Sequence, residues 1–324
     1  MADPLVSIII CTFNRAHIVS ETMESVFKQS YAPVEIIVVD DGSTDDTRHL
    51  MTSYGARIRY HQLPKNLGIA EARTLGCRLA EGEFIAFQDD DDIFLPNRIP
   101  DLMRAFLSHT DAIMAVGDYA IVDADGQPTG QRWLPDRGLN ETVVQWVPDA
   151  YEAVLWPTLP VSPLTTLFRR RDGEAVGWFD AGFRFASEDK DFFARLAKRG
   201  GIAYIPKVMA LVRRRHESLT RNSIRTEYYS MHLFYRHMQL LSAEGRVQSR
   251  MYSRLQERIR IALQRIAAVR SADTKLPDYI PRDFVETWLE RIPMSERLRY
   301  WSQVHIRLPL RRLLRILRSL ETVQ

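Results

Sequence analysis

Two cysteines in 324 residues, Cys11 and Cys77, make neither a disulfide framework nor a four-ligand zinc set. Both stand in apolar-periodic segments and are expected to be buried thiols of a protein from a reducing compartment. Long hydrophobic runs are absent too: the apolar stretch at 6–11 is far too short to cross a bilayer. Asp3 stands where a secretory leader would carry positive charge, so the expected location is cytoplasmic, at most at the inner face of the cell membrane. Neither charge dominates, since 44 Lys and Arg against 41 Asp and Glu leave +3, which gives no case for nucleic-acid binding. The first strand–helix turn contains no glycine, which excludes a G-x-G-x-x-G dinucleotide site. The chain also has neither the P-loop pattern nor a G-x-S-x-G nucleophile elbow.

What the chain does have is an apolar run, Phe84 to Phe87, that empties into four consecutive carboxylates, Asp89-Asp90-Asp91-Asp92. Adjacent anions repel, and burying one unpaired costs several kcal/mol by order of magnitude. An all-oxygen cluster at the end of a core strand suits Mn²⁺ or Mg²⁺, with positions left for water and phosphate. A solvated acidic loop is the alternative.

Apolar strand runs at 6–11, 35–39, 57–62 and 83–87 alternate with helical periodicity at 18–29, about 44 onward, 69–80 and 96–107. Ser43 or Thr44 is expected to cap the second helix, with Asp45 and Asp46 in its first turn. This alternation predicts an α/β fold: an open, mostly parallel sheet with helices on both faces. Ligands of such sheets bind outside the carboxyl ends of the strands. Three of those ends carry Thr12-Phe13-Asn14-Arg15, Asp40-Asp41 and the acidic run, so the polar outliers gather on one rim.

Further strands are expected at 112–122, 164–169 and 202–211, with no clear period between 127 and 163. Ser187 is placed to cap a helix that opens with Glu188-Asp189. After about residue 225 strand signals fade, dividing a catalytic domain (1–224) from a helical C-terminal region (225–324). Helices are expected there at 226–241, 247–269, 282–289 and 308–320. In the last of these, Leu310, Leu313, Leu314, Leu317 and Leu320 form one stripe, with Arg311, Arg312, Arg315 and Arg318 largely off it. Such a helix suits peripheral contact with an anionic membrane, or packing against the domain or a second copy of the chain.

The order Ser-Ile-Ile-Ile-Cys-Thr-Phe-Asn-Arg, Val-Val-Asp-Asp-Gly-Ser-Thr-Asp, Asn-Leu-Gly-Ile-Ala-Glu-Ala-Arg, Phe-Gln-Asp-Asp-Asp-Asp, Gly-Trp-Phe-Asp and Ser-Glu-Asp-Lys-Asp resembles the family 2 glycosyltransferases of the GT-A fold. The likeness covers about residues 6–220. It implies a metal-dependent, inverting transfer of a sugar from a nucleoside diphosphate, with a UDP-sugar the favoured donor, to a glycan or lipid-linked hydroxyl in cell-envelope polysaccharide synthesis. By the resemblance, Asp41 meets the base, Thr12, Phe13, Asn14 and Arg15 frame it, and Arg73 reaches the nucleotide. The family's D-x-D falls on Asp89-Asp90-Asp91, with Asp91 as metal ligand and Asp89 or Asp90 sharing the metal or holding the ribose. Asp189 takes the role of general base.

The residue types fit that chemistry unaided. A diphosphate leaving group needs its charge neutralised, and an attacking hydroxyl needs a carboxylate to take its proton. Trp178, Glu188, Arg215 and His216 are candidates for the acceptor or the diphosphate. Trp178 reads equally well as core, and Arg169-Arg170-Arg171 as a solvated face. A sugar nucleotidyltransferase would want a glycine-rich basic loop after the first strand. A non-catalytic nucleotide-sugar-binding subunit would bind without turnover.

Overall fold

The structure is a computed structural model that describes residues 3–133, 143–183, 186–214 and 223–271. Two compact units divide it, at 1–221 and 222–324.

The first unit begins with four strands, β1 (Val6–Thr12), β2 (Val34–Asp40), β3 (Arg59–Gln62) and β4 (Phe84–Asp89). Between them lie α1 (Val19–Phe27), α2 (Thr47–Ser53) and α3 (Ile69–Leu79). The chain continues through β5 (Ile93–Phe94), α4 (Arg98–Leu107), β6 (Ala112–Val122), β7 (Pro128–Arg132), β8 (Gln145–Val147), α5 (Ala150–Leu155), β9 (Thr166–Arg169), α6 (Arg170–Ala175), α7 (Glu188–Ala197) and β10 (Gly201–Arg213). The sheet order is β3-β2-β1-β4-β9-β6-β10-β5, with β7 on β6 and β8 on β10.

The first four strands are parallel, as are β6 and β10. Short β9 is inserted antiparallel between β4 and β6, so the sheet is mixed. Both faces of β1 are buried because helices cover both. Val6, Ile8 and Ile10 join one apolar cluster with Val19, Met23 and Val26 of α1 and Leu102 and Phe106 of α4. On the other face α3 presses so close that a Cβ on Gly76 would stand 2.4 Å from Ile9 Cγ2. The order reverses around β1, which has β2 on one side and β4 on the other, and such a reversal opens a crevice at the strands' carboxyl ends.

Several local expectations shift. Helix α2 begins at Thr47 and not at Ser43, because Asp45 turns back to accept the Thr47 amide (3.0 Å) and hydroxyl. The aperiodic stretch after 127 holds β7, β8 and α5, elements too short to show a period. Ser187 precedes α7 in a left-handed conformation (φ 68°) and makes no side-chain cap. The solvated reading of Arg169 fails, since its guanidinium lies 4.4 Å from the Phe106 ring centroid.

In the second unit α8 (Ser223–Ala243) and α9 (Arg250–Ser271) pack on each other, and Gly245 (φ 70°) supplies the turn after α8. Helices expected at 282–289 and 308–320 lie outside the described residues. Among the described residues no helix is long and apolar enough to cross a membrane.

Candidate active site

Two loops at the rim are stitched into one wall. The Asn14 amide donates to Ser43 Oγ (2.9 Å), Arg15 to Thr47 Oγ1 (3.1 Å) and Ala16 to Asp45 Oδ2 (3.1 Å). In return Asn14 Oδ1 accepts the Thr44 amide at 2.8 Å and the Asp45 amide at 3.4 Å. Asn14 holds φ 53°, a left-handed conformation that asparagine tolerates better than most residues. Its amide oxygen is therefore occupied by the wall, while neighbouring Phe13 is 40% exposed. Thr12 ends β1 and is buried beside Asp40.

Asp41 lies deeper. Its Oδ1 accepts the Leu67 amide (2.7 Å) and its Oδ2 the Gly68 amide (2.9 Å) at the start of α3. Gly42 makes this approach feasible, since a Cβ there would stand 2.5 Å from the Lys65 carbonyl carbon. The two oxygens of Asp41 are thus held by the backbone at the start of α3. Asp40 is occupied in its own turn by the Ser43 amide (2.7 Å) and the Tyr60 hydroxyl (2.6 Å).

The four carboxylates after Gln88 have different surroundings. Asp92 turns inward, buried, and accepts the Arg213 amide at 2.8 Å. Asp90 faces Arg15 at 3.7 Å, and Asp89 pairs with Arg73 at 2.9 Å. Asp91 is half-buried. Burial first, then the Asp91 charge, push the Asp90 carboxyl up to about 7 despite Thr12 and Arg15. Burial, with Asp89 and Asp91, pushes Asp92 well up too. Adjacent carboxylates repel one another, and a divalent cation would offset that repulsion. Among the described residues no three His, Cys, Asp or Glu side chains form a full metal cage. A cation here would rest on one or two carboxylates and complete its shell with water and ligand oxygens, which is the habit of Mg²⁺. The donor set suits such an ion.

Arg73, expected against the nucleotide, is buried and engaged by protein. Its Nη1 donates to Glu188 Oε1 at 2.6 Å and its Nη2 to Asp89 Oδ1 at 2.9 Å. Burial works against its charge, yet the two carboxylates carry its pKa above the ordinary value. Glu188 is pushed up to about 7 by burial and the adjacent Asp189, with Arg73 pulling it back. Asp189 is half-buried and accepts the Lys190 amide at 2.7 Å. The next acid of the helix, Asp191, is paired with Arg195 at 2.8 Å.

Trp178 is core: it is 8% exposed, stacks on Phe192 at 6.4 Å between ring centroids and closes over Gly173. The buried Cys11 thiol is pushed up by desolvation, as is Cys77, so both are inert packing groups. Arg215 and His216 lie outside the described residues. The sequence reading missed the Arg73 bridge, which joins distant segments and leaves no local signal, and the Asp45–Thr47 turn, whose Asp-x-Thr spacing is local.

Residues 7–217 match the profile of the family described as Glycosyl transferase family 2. An uncharacterized glycosyltransferase of Haemophilus influenzae is 30% identical over 224 residues, 65% of each chain. The UDP-Glc:alpha-D-GlcNAc-diphosphoundecaprenol beta-1,3-glucosyltransferase WfgD of Escherichia coli is 37% identical over 124 residues, 37% identity that spans 38% of this chain and 49% of its own. The chain covers less than two thirds of the length of these curated relatives. Residues 1–349 of S. aureus TarS in complex with UDP-GlcNAc share the fold, with TM-score 0.59 and 18% identity over 91% of this chain and 78% of that one. The profile match covers the strands, the stitched loops and the acidic run together, and the chain belongs to glycosyl transferase family 2.

Proposed function

We propose that the protein transfers a sugar from a UDP-sugar to a hydroxyl of a glycan or lipid-linked acceptor, with inversion, in a single displacement. The donor class and the lipid-linked acceptor are suggested by WfgD, whose name records both. In this reading Asp41 receives the base N–H, Phe13 covers the base, and Asn14 and Arg15 hold the wall behind it. Asp91, with Asp89, would hold a Mn²⁺ or Mg²⁺ ion. Such an ion neutralises charge on the departing diphosphate when bound.

The chain's own contribution is proton removal and geometry. Asp189 takes the proton of the acceptor hydroxyl as that oxygen attacks the anomeric carbon from the face opposite the diphosphate. The new C–O bond forms as the sugar–phosphate bond breaks, and the electron pair leaves with the nucleoside diphosphate. One observation carries this assignment: of the acids at the start of α7, Glu188 is bound to Arg73 and Asp191 to Arg195, while Asp189 is half-buried and accepts the amide of the adjacent Lys190. A double displacement would need a second carboxylate as nucleophile, and Glu188 is held away from that role.

Calorimetric titration with UDP, GDP and dTDP, each with Mn²⁺ and with EDTA, tests the donor side on wild type and Asp91→Ala. Metal-dependent binding of UDP that is lost in the variant is the expected result. Binding of no nucleotide by folded protein overturns the reading, and binding without turnover across a donor and acceptor screen favours a non-catalytic subunit.

A further inference from the structure

Arg98 is the first residue of α4 and is fully buried. It lies where the pairing of β4 with β9 stops. That ladder runs Phe84↔Arg169, Ile85↔Phe168 and Ala86↔Leu167, and the next rung would join Phe87 to Thr166. The paired register ends before it. Arg98 Nη2 donates to the Phe87 carbonyl at 3.4 Å and the Thr166 carbonyl at 3.3 Å, one on each strand just past the last pair. The same nitrogen reaches the Pro163 carbonyl at 3.4 Å, and Nε reaches the Leu164 carbonyl at 2.8 Å.

No carboxylate pairs with this guanidinium among the described residues at ion-pair distance, and its Nη1 is buried without a hydrogen-bond partner. The Phe94 ring lies beneath it, 3.9 Å from Cζ to centroid. Burial pulls the guanidinium down to about 9, and the anion that acts against this is Asp89. A buried cation without a paired anion is costly, and apolar packing would be the cheaper filling for such a space. Its position gives the compensation. Phe87 stands two residues before Asp89, and β4 stays paired with β1 as far as Cys11↔Asp89. At Phe87 the strand is thus held on its β1 side by regular pairing and, where the β9 register ends, by the Arg98 side chain.

We infer that Arg98 is a positioning residue for the acidic run: its guanidinium ties β4 to β9 where their pairing ends and fixes where β4 delivers its carboxylates. The inference rests on the reading of that run as the cation and diphosphate site. The base-binding wall is held by the separate bonds of Asn14, Ser43 and Asp45, so a defect at Arg98 should be confined to the acidic side.

The experiment uses the full chain as wild type and Arg98→Lys, which keeps the charge but cannot bridge the same carbonyls. Mn²⁺ affinity is read by electron paramagnetic resonance and uridine affinity by calorimetry in EDTA. Loss of a partner that orients a metal ligand typically weakens metal binding about 10- to 100-fold. A loss of that size for Mn²⁺ with uridine binding unchanged is expected. Equal Mn²⁺ affinity, or a parallel loss of both ligands in folded protein, overturns the inference. If Arg98→Lys does not fold, Phe94→Leu removes the ring beneath the guanidinium and is judged by the same two readings. Wild type that binds Mn²⁺ but neither uridine nor UDP would sink the transferase reading while leaving the Arg98 comparison decisive. Wild type that binds no Mn²⁺ would sink both.

Discussion

Arg73 on α3 and Glu188 at the start of α7 meet at 2.6 Å across 115 positions of sequence, and the same guanidinium holds Asp89 at the end of β4. The pair joins the acid proposed to face the metal to the helix that carries Asp189. Three distant segments are thereby set against one another by one side chain.

Breaking that bridge on one side should be costly. Glu188→Ala leaves a buried guanidinium short of an anion, and removing one member of a buried pair costs about 3–5 kcal/mol. Urea denaturation should show a loss of that order. Replacing both members with apolar residues, Arg73→Met with Glu188→Leu, should restore most of the stability but not turnover. Equal turnover in the double variant and wild type would refute the positioning role.

Asp189→Asn should fold and bind UDP as wild type does. Removal of a general base typically lowers the rate roughly 10²–10⁴-fold. Transfer assays beside UDP titrations check this, and a variant within a few-fold of wild type would exclude Asp189 as base.

Asn14→Ala forfeits two backbone partners and meets strain at φ 53°. Loss of a capping side chain costs about 0.5–2 kcal/mol. Asn14→Gly relieves the backbone strain but not the lost bonds, so thermal unfolding should rank wild type, glycine, alanine. Nucleotide affinity should fall in both variants, because both loosen the wall.

Far from the crevice, Glu35 predicts a pH effect. Partial burial alone would raise its carboxyl, but hydrogen bonds from Ser7, the Glu81 and Gly82 amides and Arg59 hold it below its usual range. A carboxyl depressed in the folded state contributes stability above its unfolded pKa and loses it as pH falls through the folded value. Glu35→Gln should therefore lower the melting temperature at neutral pH, with the gap closing in acid. A gap that persists or widens below about pH 4 contradicts this assignment.

Much of the chain is legible without coordinates because the signals are local. The run Val6 to Cys11 is apolar on both faces and can only be a strand covered on both sides, and β1 is that. Residues 69–80 and 112–122 carry clear periods, and α3 and β6 follow them closely. The convergence of Thr12, Asp41 and Asp89 on one rim follows from parallel strands alone, since parallel strands end on the same side.

Tertiary structure decided what the side chains of that rim do. Four successive aspartates are alike in sequence, yet Asp92 turns in to the Arg213 amide, Asp89 pairs with Arg73 and Asp90 faces Arg15. Their partners lie on other elements, and no local period encodes a contact across the sheet. The insertion of β9 beside β4, and the arginine that ties them where their register ends, depend on long-range pairing of a strand too short to show a pattern. Sequence determined which chemistry could gather at the crevice. Packing determined which carboxylate is tied, which is turned inward and which stays half-buried.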